Sequence, residues 1–120
     1  MEVPLTIRSA TGEHRFTVEV AASAKEQNDG LMYRRSLAPD RGMIFPYDPP
    51  QTVAFWMKNT LIPLDMIFIR KDGTIARIVA NTVPMSLDTV PSGEPVAAVL
   101  EIAGGRAAEL GIREGDRVVW

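Results

Sequence analysis

Apolar and polar residues alternate over 3–7 and again over 16–20, on either side of the polar run Ser9-Ala10-Thr11-Gly12-Glu13. A period of two sends every second side chain to the same face, so this pair predicts a β-hairpin with one buried side. Ser23-Ala24-Lys25-Glu26 has the form of a capping box, in which the Ser23 hydroxyl accepts from the Glu26 amide and the Glu26 carboxylate reaches back. It predicts a helix over 24–34. The apolar residues of that helix, Leu31, Met32 and Tyr33, fall late, so its first turns are expected to be solvated. Gly30 inside it costs roughly 1 kcal/mol relative to alanine and implies that another backbone packs closely there.

From Pro39 to Pro95 the chain holds eight of its nine prolines, which excludes a long helix. Strands are predicted over 42–45 and 52–57, separated by Pro46-Tyr47-Asp48-Pro49-Pro50. A hairpin of 65–70 and 74–80 turns at Lys71-Asp72-Gly73. Met66-Ile67-Phe68-Ile69 is apolar on both faces, so that strand should be covered on both sides. A long loop over 83–93, a strand over 96–102, a short helix over 106–110 ended by Gly111 and a last strand over 117–120 complete the chain. The expected class is mainly β: one β-rich domain over 1–120. An antiparallel barrel-like or sandwiched sheet is predicted, with one helix near the N-terminus and a short one near the C-terminus.

Composition narrows the chemistry. At 120 residues and 46% apolar the chain can bury a core without cross-links. Cysteine is absent and His14 is the single histidine, so a disulfide, a thiolate nucleophile and a zinc ribbon are excluded. His14 is expected at the surface. A net charge of −2, with ten Arg and three Lys scattered along the chain, argues against a nucleic-acid partner and against a polybasic membrane tract. No apolar run is long enough for an integral membrane segment. The N-terminus shows no secretory signal, which fits a cytoplasmic protein or an exported one whose leader has been cleaved; the compartment stays open. No phosphate loop, dinucleotide glycine fingerprint or serine-nucleophile elbow occurs, so no cofactor is expected.

The polar residues placed among apolar ones are the candidate site. Trp56 and Met57 should anchor a strand, leaving Lys58, Asn59 and Thr60 at its end, where active-site loops commonly lie. Arg34, at the predicted end of the first helix, is their expected neighbour; Arg35 is expected to serve the helix C-terminus. Asp65 opens an otherwise apolar strand. It suits a general base, but the role that ranks first is a brace that accepts amides of the Asn59-Thr60 turn or pairs with Arg34 or Lys58. Glu101, in Val99-Leu100-Glu101-Ile102, is a second carboxyl in apolar company. Met32, Met43, Met57, Met66 and Met85 could in principle hold Cu(I), but methionine more commonly fills irregular core space and no metal site is assigned. Residues 104–116 look like the helix and turn of a PDZ domain, yet no glycine-rich carboxylate-binding loop lies upstream, and a short helix with a turn is the simpler account.

Gly30-Leu31-Met32-Tyr33-Arg34, Gly42-Met43-Ile44-Phe45, Phe55-Trp56-Met57-Lys58-Asn59-Thr60, Pro63-Leu64-Asp65 and Leu100-Glu101 occur in an order and at spacings that resemble the domain-of-unknown-function 192 family. The resemblance runs from about residue 16 to the C-terminus. It implies a mostly β single domain and carries no activity, since that family is uncharacterised. Many of its members carry an export signal or lipoprotein segment, a feature this N-terminus lacks. The family pattern falls on Gly30, Met32, Arg34, Gly42, Trp56, Met57, Asn59, Asp65 and Glu101.

Three functions compete. The first is a non-catalytic binding domain for a small polar or anionic ligand, using Arg34, Lys58, Asn59, Thr60, Asp65 and Glu101. The second is a hydrolase or lyase using Asp65 with Glu101 or Lys58. The third is a protein-interaction module presenting the apolar Pro46–Pro50 segment.

Overall fold

The computed structural model describes residues 1–120 and places them in nine strands and two short helices. In chain order these are β1 (Glu2–Ser9), β2 (Gly12–Val20), α1 (Ala24–Asp29), β3 (Arg41–Gln51), β4 (Ala54–Phe55), β5 (Leu64–Ile69), β6 (Ile75–Val79), β7 (Val90–Pro91), β8 (Val96–Ala103), α2 (Arg106–Leu110) and β9 (Arg117–Val119). Seven strands form one sheet in the order β6-β5-β8-β3-β2-β1-β9, and β4 pairs with β7 apart from it. Every pair in the large sheet is antiparallel except β2 and β3, which run parallel. That departs from an all-antiparallel sheet. The chain leaves β2, crosses by way of α1 and returns in the same direction, as a parallel connection requires.

The sheet curls until its edges meet. Thr74 bridges to Arg117, the Ile75 amide donates to the Asp116 carbonyl at 2.8 Å, and the Val118 amide donates to the Gly73 carbonyl at 2.8 Å. The resulting half-barrel leaves little open strand edge. One core fills its hollow with residues from every strand of the sheet, among them Leu5, Phe16, Ile44, Ile67, Ile75, Leu100 and Val118. A second core lies on the opposite face of β3, β5 and β8, where Met43, Phe45, Met66, Phe68 and Val99 meet Leu31 and Met57 from the covering segments. The double-sided burial expected for β5 follows: all six of its residues are buried, alternating between the two cores.

Several boundaries differ from expectation for local reasons. The Ser23–Glu26 capping box forms, with the Glu26 amide 3.1 Å from Ser23 Oγ and the Ser23 amide 3.0 Å from Glu26 Oε1. The helix it opens stops at Asp29, however, not Arg34, because Gly30 takes φ 49°, ψ −128° and turns the chain. That turn carries Leu31 into the second core. The Pro46–Pro50 segment is not a turn between strands but the distal half of β3, whose pairing with β8 shifts register between Pro46 and Gln51. An irregularity of this kind is where a strand tolerates proline. Only Ala54 and Phe55 of the strand expected over 52–57 pair. The hairpin of β5 and β6, the strand β8 and the Gly111-capped α2 lie where they were predicted. His14 is half-buried; its Nε2 lies 2.9 Å from both Ser9 Oγ and Thr11 Oγ1, tying the β1–β2 turn. Met43, Met57 and Met66 pack together in the second core, the space-filling role. No helix is long and apolar enough to cross a membrane.

Candidate functional site

β8 carries the central side chain. Val96 and Val99 face the second core while Ala98, Leu100 and Ile102 face the half-barrel hollow, and Glu101 follows the parity of Val99. Across the ladder it stands between Met43 of β3 and Met66 of β5. Gly42 permits this close strand packing: a Cβ there would lie 2.5 Å from the Glu101 carbonyl oxygen. The Glu101 residue is 4% exposed, and burial alone raises its carboxyl from 4.5 to about 8. No hydrogen bond or neighbouring cation offsets that burial. The carboxyl is nevertheless not sealed in. It lines an open cavity of about 200 Å³ together with Lys58, Thr60, Tyr47, Trp56 and the end of α1. Isolated buried carboxyls normally acquire a partner, so this one is the chemically conspicuous feature of the molecule.

Aromatic rings shape the walls. Phe45 and Phe55 meet edge to face at 5.0 Å, and Phe55 stacks likewise on Phe68 at 6.4 Å. Lys58 Nζ stands 5.2 Å from the centroid of the Trp56 ring. The phenol of Tyr47 is raised to about 12, first by burial and then by the charge of Glu101. Gly30 forms the side opposite: a Cβ there would come within 3.4 Å of Phe45 Cζ and 4.0 Å of Glu101 Oε1. The backbone next to the lining residues Met32, Lys58 and Thr60 is held in unusual conformations. Tyr33, Asn59 and Met85 all have positive φ, and the Tyr33 amide donates to the Asn59 carbonyl at 2.8 Å while the Met85 amide donates to that of Thr60 at 3.0 Å. Non-glycine residues in this region carry strain, and such residues concentrate at binding sites.

The six sequence-derived candidates separate into two groups. Lys58, Thr60 and Glu101 share the cavity; Arg34, Asn59 and Asp65 do not line it. Arg34 forms a two-pronged pair with Glu19, its Nη2 2.9 Å from Glu19 Oε1, and this contact holds the Glu19 carboxyl below its ordinary range. The turns over 30–33, with positive φ at Gly30 and Tyr33, direct that guanidinium toward Glu19 of β2. Asn59 acts through its backbone. Asp65 is a brace, as ranked first, but with other partners. It is fully buried on the hollow side of β5, and its Oδ1 accepts the amides of Asn81 and Gly105, its Oδ2 that of Ala107, each at 2.9 Å. It therefore pins α2 and the chain after β6 to the sheet. Asp65 pairs in register with Ile102 and Met66 with Glu101, so the two carboxyls lie on opposite faces and cannot form an acid–base pair.

One further expectation needs correction. Trp56 is not a core anchor: it is 44% exposed and lines the cavity, while its neighbour Met57 is buried. A period-two reading of Phe55, Trp56 and Met57 contains the signal, since inward neighbours on both sides turn Trp56 outward. In the Pro46–Pro50 segment Asp48 and Pro49 are exposed and Pro46, Tyr47 and Pro50 are half-buried, while Tyr33, Leu61, Val83, Met85 and Leu87 are large apolar side chains exposed elsewhere. Tyr47 had no legible signal, because the prolines around it mask any periodicity.

The chain belongs to the domain-of-unknown-function 192 family (DUF192, "Uncharacterized ACR"), whose model matches residues 6–120. Two solved structures have the same fold at high identity. One is a protein of unknown function from Novosphingobium aromaticivorans DSM 12444, 47% identical over 99% of this chain and 85% of that one, with a TM-score of 0.97. The other, from Sinorhizobium meliloti 1021, bears the name "putative transcription regulator"; it is 45% identical over 99% of this chain and 93% of that one, with a TM-score of 0.96. No curated protein matches the chain.

Proposed function

We propose that the protein is a non-catalytic binding domain that takes a small polar ligand into the cavity of Glu101, Lys58 and Thr60. The observation that carries this reading is the Glu101 carboxyl, buried without a protein partner yet open to that cavity. A volume of about 200 Å³ lies below the roughly 300–1,000 Å³ of drug-sized sites and suits a small molecule or a single side chain. Lys58 is the one cation lining it, beside the carboxylate of Asp29 and the carboxyl of Glu101, which burial keeps protonated at neutral pH. The enzymic alternative loses Asp65 to its structural bonds and keeps only Glu101 and Lys58.

The regulator name belongs to the Sinorhizobium chain, and two features of this chain weigh against reading a nucleic-acid site into it. The net charge is −2, and seven of the thirteen cationic side chains are paired with carboxylates, whereas phosphate binding draws on a basic surface. The test is a screen of small metabolites followed by amide chemical shifts. Binders should move the amides of Gly30, Thr60 and Glu101, and Glu101→Gln or Lys58→Ala should change their affinity. A screen whose binders all act elsewhere on the surface, unaffected by both substitutions, refutes the reading.

A further inference from the structure

Two carboxyls, Asp29 and Glu101, line the cavity beside a single cation, Lys58. Glu101 has no protein donor; its ladder neighbours Met43 and Met66 have none to give, and Gly30 opposite has no side chain. Asp29 brings a second carboxylate to the rim, where it also pairs with Lys25. Lys58 occupies the face of Trp56 and forms no ion pair with Glu101, which shows the ring taking a cation while the carboxyl stays vacant of one.

Resting on the binding-domain reading above, we infer that the ligand of this cavity carries a basic nitrogen: a primary ammonium on a short aliphatic chain, its N–H groups donating to Glu101. A carboxylate or a neutral acceptor could take only the O–H of the protonated Glu101, the carboxylate with the charge of Asp29 nearby, whereas an ammonium alone gains a full charge pair by drawing Glu101 into its carboxylate form. An ammonium satisfies Glu101 by charge and by donor geometry together. Binding also moves a proton. Glu101, raised to about 8 by burial, holds its proton at neutral pH; when the cation enters, that proton leaves to solvent and the carboxylate remains paired with the ammonium.

The probes are n-butylammonium, butan-1-ol and butyrate, which share a chain and differ in the head group. Titration of the whole protein followed by amide shifts should give saturable binding of butylammonium at the Gly30, Thr60 and Glu101 amides. An affinity on the order of 1 mM is expected for so few atoms. Glu101→Gln and Glu101→Met should each weaken it at least tenfold, while Lys58→Ala, which removes a like charge from the cavity, should tighten it. Calorimetry at pH 7 in buffers of different ionisation enthalpy should register proton release that both Glu101 variants lose. Butan-1-ol or butyrate saturating the same amides as tightly as butylammonium would overturn the ammonium assignment and leave the binding-domain reading standing. Butylammonium binding that survives both Glu101 substitutions, or that is lost in Lys58→Ala, overturns it as well.

Discussion

Asp65 and Glu101 are both buried carboxyls near the middle of one sheet, on neighbouring strands, one register step apart and on opposite faces. Three backbone amides converge on Asp65. None reaches Glu101. The difference separates a structural acid from a candidate binding acid: burial is common to both, and the supply of donors distinguishes them. Asp65 faces the hollow, where α2 begins and irregular backbone has free amides to offer. Glu101 faces methionine and phenylalanine, with an opening to solvent instead of a donor.

The largest test of this contrast is Asp65→Ala, which strands the amides of Asn81, Gly105 and Ala107 in the interior. A loss of about 3–5 kcal/mol in denaturant unfolding is expected. A loss below about 1 kcal/mol would show that Asp65 is not the brace described here. At Glu101 the sign should reverse. Glu101→Met continues the Met43–Met66 row and should stabilise the protein by roughly 1–3 kcal/mol at pH 8.

The same contrast has a pH signature. The Glu101 carboxyl binds its proton more tightly folded than unfolded, so its contribution is fully present below about pH 4.5 and is lost as pH rises to about 8. Between those values wild-type stability should fall by up to about 1.4 kcal/mol per pH unit relative to Glu101→Gln. Parallel stability–pH curves for the two proteins would remove Glu101 from the account.

Smaller effects sharpen the cavity itself. Gly30→Ala forces a side chain into φ 49°, ψ −128°, and should cost about 1–2 kcal/mol. It should also reduce ligand binding, because the new methyl group enters beside Phe45 and Glu101. Trp56→Ala is expected to change stability by less than about 1 kcal/mol, since the ring is half exposed. It should free the Lys58 ammonium, visible as a shift of its side-chain resonances; unchanged resonances would show that the two groups do not interact in solution.

Much of the fold was legible because its signals are local. Alternation over 3–7 and 16–20, the Ser23–Glu26 box, the Lys71-Asp72-Gly73 turn and Gly111 each act within a few residues, and each element formed where its signal lay. The helix expected to reach Arg34 ended at Gly30, since a left-handed glycine and a core site for Leu31 outweighed helical continuation. Half of the candidate site was legible for a similar reason: polar residues amid apolar ones must be explained by something, and Lys58, Thr60 and Glu101 were singled out on that ground. Arg34 was assigned to them by chain direction alone, and the turn at Gly30 changed that direction.

The amino-acid pattern by itself determined a mainly β chain with two short helices, the family, and a short set of polar residues in need of partners. Tertiary structure decided which partner each one received. Strand parity puts Asp65 and Glu101 on opposite faces, the curl of the sheet brings α2 amides to the first, and the turn at Gly30 leaves a cavity over the second. Those outcomes depend on contacts between residues tens of positions apart, and no periodicity within a strand encodes them.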